Sequence, residues 1–250
     1  MFRWVRDLRR KKVAERPFPE AWRKVLEKNV TLVRSLSPED RAELEADIQI
    51  FLSEKNFEGA GGFEITDEVR VTIAGQACLL LLHRNTDYYP GLESIVVYPS
   101  AYVARAKRIE GGVVQEGDEA RLGESWGQGT VALAWNGVVT GGRNREDGHN
   151  VVLHEFAHQL DQEDGEADGA PILATLSMYA PWAAVLSNEF AELVASKYSD
   201  IDRYGATNPA EFFAVITEAF FEKPLQLKRK HPELYAQLAA YYQQDPASRV

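Results

Sequence analysis

The segment His154-Glu155-Phe156-Ala157-His158 carries two imidazoles one helical turn apart, with a carboxylate between them. At i and i+4 on a helix both rings lie on one face and can reach a single ion, the H-E-x-x-H arrangement of zinc hydrolases. Zinc lowers the pKa of its water towards ~7, and a carboxylate beside the metal then takes the proton as hydroxide attacks a polarised carbonyl. Glu155, one residue after the first histidine, is placed for that general-base role. Peptide hydrolysis is the chemistry this trio predicts. The apolar neighbours Val151, Val152, Leu153, Phe156, Ala157 and Leu160 predict a helix set in a domain core, with Asn150 as its cap. Two histidines and a glutamate that merely filled such a helix would bear a large desolvation cost without a partner.

A zinc site needs a third protein ligand, and several carboxylates compete for the place. Asp161 and Asp164 continue from His158 in steps of three, as in the compact H-E-x-x-H-x-x-G-x-x-H/D pattern. Asp161, however, stands where that pattern needs glycine, so no sharp turn brings Asp164 back to the metal. A new helix should begin in Asn208-Pro209-Ala210-Glu211, with Asn208 as cap and Pro209 as first helical residue. Glu211 then falls in the first turn, where a capping box with Asn208 is the alternative to metal binding. Glu218 lies seven residues further on the same face, with Glu222 beyond it, and spacing does not choose between Glu211 and Glu218. Glu189 and Glu192 belong to the amphipathic segment from Trp182 to Tyr198, where a solvated face accounts for them.

Four stretches carry a resemblance: Glu124-Ser125-Trp126-Gly127-Gln128-Gly129, His154-Glu155-Phe156-Ala157-His158-Gln159-Leu160-Asp161, Asn208-Pro209-Ala210-Glu211-Phe212-Phe213-Ala214-Val215 and Tyr241-Tyr242-Gln243-Gln244-Asp245-Pro246. In these the chain resembles the Mlc titration factor A family, zinc metallopeptidases related in their catalytic core to the anthrax lethal factor protease. The likeness runs from about Pro17 to Pro246 and includes Gly62-Phe63-Glu64 and Val97-Tyr98-Pro99. It implies that His154, His158 and Glu211 hold one Zn2+ per chain and that Glu155 is the catalytic base. Tyr204 matches a tyrosine seven residues before the third ligand. Its phenol would donate to the oxyanion formed when water adds to the carbonyl, the alternative being a tyrosine packed at a helix entrance. Asp161 resembles the family's aspartate at that place and would either fix a ring tautomer or simply end the helix at the surface. The resemblance further implies aminopeptidase-type activity on short peptides and capture of an Mlc-like transcriptional repressor by contact. A non-catalytic regulatory module that sequesters a repressor is therefore the alternative to a peptidase.

The composition fits a folded protein. A chain of 250 residues can bury a sizeable core in one large domain or two small ones, and 45% hydrophobic with 26% charged residues argues against disorder. A net charge of −10 and a pI near 5.1 argue against direct nucleic-acid binding over a broad surface. No apolar run approaches a membrane span. The basic opening, residues 1–16, leads into Arg16-Pro17 without an apolar stretch or cleavage site, so it is expected to be a solvated arm and not a secretory signal. Cys78 is the only cysteine, which agrees with a reducing compartment and a cytoplasmic protein.

These residues need elements to position them. Helices are expected from Pro19 to Asn29 and from Ser37 to about Lys55, ending at Gly59-Ala60-Gly61-Gly62. Residues 63–140 read as β-rich, with runs Val69 to Ala74, Ala77 to Leu82, Ser94 to Tyr98 and Thr130 to Trp135. The strand from Val131 to Trp135, shortly before the metal helix, is expected to pair with substrate backbone. Helices then follow over Trp182 to Tyr198, Asn208 to Glu222 and Pro232 to Gln244. Gly141 to Gly148 and Asp161 to Asp168 are expected as mobile loops beside the cleft. The whole predicts an α+β, zincin-like metallopeptidase domain over 17–250: 17–62 helical, 63–140 β-rich, and 141–250 holding the metal helix and a mostly helical C-terminal part that returns Glu211 to the cleft.

Overall fold

The structure, a computed structural model, describes the backbone of residues 3–100, 102–110, 113–121, 123–126 and 129–249, and the side chains of 4–100 and 129–249. The chain begins with helices α1 (Arg3–Ala14), α2 (Glu20–Asn29) and α3 (Pro38–Glu54), then strand β1 (Asn56–Gly59) and helix α4 (Asp67–Leu79). Strands β2 (Ser94–Tyr98), β3 (Tyr102–Glu110), β4 (Val113–Arg121), β5 (Gly123–Trp126) and β6 (Thr130–Ala134) follow. The remainder is helical: α5 (Trp135–Arg143), α6 (Val151–Asp161), α7 (Tyr179–Ala195), α8 (Pro209–Glu222), α9 (Pro224–Lys230) and α10 (Pro232–Tyr242). The starts follow local chemistry. Ser37 and Thr66 accept amide protons from Asp40 and Val69 at the heads of α3 and α4, and Pro38 opens α3.

One sheet has the strand order β1-β2-β6-β5, with β1, β2 and β6 parallel and β5 antiparallel to β6. A separate antiparallel hairpin joins β3 to β4. The architecture is a mixed α+β fold, mainly helical around a small sheet. The strand expected to bind substrate backbone needs correcting on this topology. β6 is interior, with β2 bonded to one edge and β5 to the other, so it has no free edge to offer. The outer strand on that side is β5, which also packs against α6.

Two of the expected strands are instead a single helix. Val69 to Ala74 lies inside α4, and Ala77 to Leu82 is its end and the turn beyond. Every residue of α4 from Val71 to Leu79 is buried, so no polar stripe marks the helical period, and the β-branched Val69, Val71, Thr72 and Ile73 imitate a strand. Gly141, Gly142 and Arg143, expected in a loop, are the last residues of α5. Gly142 is required there, because a Cβ would lie 2.4 Å from the Asn29 carbonyl oxygen, where α5 crosses the end of α2.

The basic arm also differs from expectation. Arg3–Ala14 is a helix, and Arg10 anchors it: its guanidinium donates to both carboxylate oxygens of Glu54 at 2.8 Å and to Asp87 Oδ1 at 2.6 Å, and lies 4.7 Å from the Tyr88 ring centre. A two-carboxylate clamp of this kind orders a segment that composition alone reads as solvated.

The core runs between the helices and the sheet. Phe156, on the buried side of α6, packs on Tyr89 and Phe51 with ring centres 4.9 and 5.8 Å away. On α8, Phe213 meets Trp182 at 5.9 Å and Phe220 stacks on Tyr242 at 5.6 Å. Both helices that carry candidate ligands are thus fixed by fully buried aromatics worth several kcal/mol each, roughly 3–5 if cut to alanine. Among the described residues, no helix is long and apolar enough to cross a membrane.

Candidate metal centre

Asn150 starts α6 as the sequence predicts. Its Oδ1 accepts from the amides of Val152 and Leu153, both at 3.1 Å, and the helix that follows turns His154 and His158 to the same side. Asn208 caps α8 by accepting the Glu211 amide at 2.9 Å. The Glu211 carboxylate turns away from the cap and faces both imidazoles. Its Oε2 lies 3.0 Å from His154 Nε2 and 3.3 Å from His158 Nε2. One donor atom from each of the three residues falls within 4.8 Å of the others. Their side chains are 14, 11 and 19% exposed, sheltered yet reachable from solvent.

Glu218 occupies a different place. Its Oε1 accepts from His154 Nδ1 at 2.7 Å, on the side of the ring away from Glu211, and its Oε2 accepts from the Asn150 backbone amide. The two glutamates that spacing could not separate are therefore divided by the two nitrogens of one imidazole. Glu218 engages Nδ1 and leaves Nε2 directed at Glu211, the arrangement by which a carboxylate fixes the tautomer of a metal-binding histidine. Glu222 closes the network, accepting from Asn150 Nδ2 at 3.1 Å. The signal for this role was the Glu211, Glu218, Glu222 line along α8, but only the packing of α8 on α6 reveals which histidine nitrogen each carboxylate meets.

The charges respond accordingly. Burial of the His154 ring works to lower its pKa, but hydrogen bonds to Glu211 and Glu218, with the nearby charges of Glu218 and Glu155, outweigh it and push the metal-free imidazole up to about 10. Burial works to raise the Glu211 pKa, and its contacts with His154 and His158 overcome this and hold it well below the usual carboxylate range. A carboxylate kept anionic beside two imidazoles is a donor set suited to a cation. Two imidazole nitrogens and one carboxylate oxygen also match the three-ligand composition of catalytic zinc sites.

Glu155 is buried, and its charge acts on His154. Tyr204 sits in the short turn Arg203–Ala206, held by its amide to Asp202 Oδ1 at 2.8 Å, with its ring centre 5.9 Å from that of His154 and the residue 55% exposed. It lies beside the His154 ring and open to solvent, not within a packed entrance. Asp161 is fully buried, so it is not a surface aspartate. Its Oδ2 accepts the Gly169 amide at 3.0 Å, and burial raises its carboxyl to about 6. Gly169 has φ +78°, and a Cβ there would lie 2.5 Å from the Pro209 carbonyl oxygen, so Asp161 pins a tight loop against the start of α8.

The other carboxylates lie elsewhere. Asp164 is exposed and accepts the Glu166 amide. Glu189 pairs with His231 at 2.7 Å, and Glu192 accepts from Asn188. Glu124 to Gln128, part of the sequence resemblance, lie outside the residues whose side chains are described.

The model of the glucose-regulated metallo-peptidase M90 family matches residues 4–243. The chain belongs to this family. A relative from Synechocystis, an uncharacterized protein, is 44% identical over 249 residues, covering 97% of this chain and 90% of its own. Mlc titration factor A of Escherichia coli O7:K1 is 31% identical over 237 residues, 92% of this chain and 88% of its own. The Salmonella agona protein of the same name is 31% identical over 229 residues, 88% and 85% respectively. The M90 match spans α1 to α10 and so includes the His154, His158 and Glu211 cluster, which agrees with a metal-dependent family.

Proposed function

We propose that the protein is a zinc-dependent peptidase built as a zincin-like domain, with His154, His158 and Glu211 holding one zinc ion per chain. The observation that carries this is the division of His154, with Nδ1 on Glu218 and Nε2 towards Glu211. When bound, zinc supplies Lewis acidity that acidifies a water and polarises a peptide carbonyl. Glu155 takes the proton from the attacking water and passes it to the leaving amine. The Tyr204 phenol, beside His154 and open to solvent, donates a hydrogen bond to the oxyanion. Glu218 holds the His154 ring in place while these transfers occur.

Short peptides trimmed from the amino end are the substrate class, a choice that rests on the family resemblance. The buried thiol of Cys78 accords with a reducing, cytoplasmic setting. A second reading is favoured by the printed name of the Escherichia coli relative, Mlc titration factor A: this chain would bind an Mlc-like repressor by surface contact, with or without hydrolysis.

Metal analysis of purified, tag-free protein tests the first reading. About one zinc per chain, lost on His158→Ala, is expected, with Glu155→Gln keeping the metal and losing peptidase turnover by a factor of ~10² or more. Full activity in Glu155→Gln would remove Glu155 as the base, and absence of metal after zinc supplementation would leave the binding reading.

A further inference from the structure

A cleft of ≈ 250 Å³ opens where the turn Thr31–Ser35, the end of α8, α9 and the last turn, Pro246–Arg249, meet, and no metal-centre ligand lines it. Leu36, Phe221 and Leu225 give it apolar walls, and Leu225 is 54% exposed. The cleft shares Ser35, Arg145, Glu146 and Arg249 with an adjoining open trough of ≈ 530 Å³. Among the described residues lining that trough are the arginines 34, 143, 145 and 249, against the single carboxylate of Glu146. In a chain of net charge −10 this is a concentration of positive charge against the average.

The internal contacts of these arginines leave much of that charge unneutralised. Arg143 donates to Asn29 Oδ1 at 2.8 and 3.1 Å, and Arg34 to the Glu27 carbonyl at 2.7 and 3.2 Å, both neutral acceptors. Arg249 is bonded to Asp40 at 3.0 Å, and the charge of Arg143 also acts on Glu68. Arg145 has no hydrogen bond or ion pair among the described residues. The cleft wall also includes Glu222, whose residue is 5% exposed and whose Oε2 is buried without a hydrogen-bond partner. Burial, against the bond from Asn150, pushes that carboxyl up to about 8.

We propose that the cleft and trough form a docking site for an acidic peptide segment of a partner protein, with one apolar side chain in the cleft and flanking carboxylates on the arginines. The cleft is smaller than the ~300–1,000 Å³ of ordinary small-molecule sites and suits a single apolar side chain. Guanidinium groups pair with carboxylates in two-pronged fashion, and an open trough lined by several of them suits an extended segment. The site is separate from the metal centre and does not depend on its assignment.

The test uses the full chain carrying Glu155→Gln, so that a probe is not consumed, and fluorescein-labelled Glu-Asp-Leu-Glu-Asp followed by anisotropy at low salt. Binding is expected to weaken about 10-fold or more when the acids of the probe become lysines, when its leucine becomes glycine, and in Arg34→Glu with Arg145→Glu. His158→Ala should leave it unchanged, as should the melting temperature of the double arginine variant. Amide shifts on probe addition should centre on Ser35, Arg145 and Leu225. Lack of binding at millimolar probe, equal binding of the lysine peptide, or unchanged affinity in the arginine variant would overturn the proposal. So would full displacement by octanoate or by a single-stranded oligonucleotide at matched concentration, which would assign the site to a fatty acid or a nucleic acid.

Discussion

Glu211 and Glu218 share one face of α8, yet they meet opposite edges of the His154 ring, and this difference predicts unequal consequences of losing them. Removing a carboxylate that only orients a ligating histidine costs roughly 10–100-fold in metal affinity, because the ligand set survives with a freer ring. Glu218→Gln, which keeps an acceptor but loses the charge, is therefore expected to weaken zinc binding within that range in competition against a chelator. Glu211→Ala, which removes a donor, should lose the metal far more completely. Retention of zinc by Glu211→Ala and its loss in a Glu218→Ala variant would reverse the two roles. The histidines were legible in the sequence because their geometry is local, a turn of one helix. The glutamates were ambiguous because a seven-residue interval puts both on the same face, and which ring edge each meets depends on how α8 lies against α6.

At the scale of elements, Asn150 ties α6 to α8. Its Oδ1 caps α6, its amide donates to Glu218 and its Nδ2 donates to Glu222, all from a residue that is 1% exposed. Asn150→Ala removes a cap and strands a buried acceptor on Glu222, so it is expected to cost about 2–3 kcal/mol in urea unfolding of the metal-free protein. A loss below about 0.5 kcal/mol would show that solvent replaces both contacts. The cap was readable because Asn before an apolar run is a local signal, as was Asn208-Pro209 before α8. The strand pattern between Val69 and Leu82 misled for the complementary reason. Periodicity reports a boundary between buried and wet faces, and α4 has almost no wet face to report. Nor does the sequence expose the α1 anchor, since Arg10, Glu54 and Asp87 are brought together only by tertiary packing.

At the scale of the molecule, several buried groups favour the protonated form in the folded state. Burial, against a hydrogen bond from Tyr88, raises Asp47 to about 7, burial raises Glu222 to about 8, and the paired carboxylates bring metal-free His154 to about 10. A group whose folded pKa is raised stabilises fully below its unfolded pKa and loses that contribution as pH rises through the folded value. For Asp47 and Glu222 the loss begins above ordinary carboxyl values, and for His154 it begins above about 6.5, so between pH 5 and 8 all three act in one direction. The lowered pKa of Glu211 acts only below the ordinary carboxyl range and does not oppose them. The melting temperature of the protein in chelator is therefore expected to fall by ~5 °C or more from pH 5 to pH 8, and Asp47→Asn should flatten that slope. In the proposed site zinc would have to displace the His154 proton in order to bind, so the gap between the zinc-loaded and chelated melting temperatures should widen over the same interval. Proton release at pH 8, measured by titration calorimetry in buffers of different ionisation enthalpy, should approach about one per ion. A chelated protein whose melting temperature does not fall towards pH 8 would mean that these buried carboxyls ionise within the fold near their ordinary values. Zinc binding without proton release would mean that His154 is already neutral between Glu211 and Glu218.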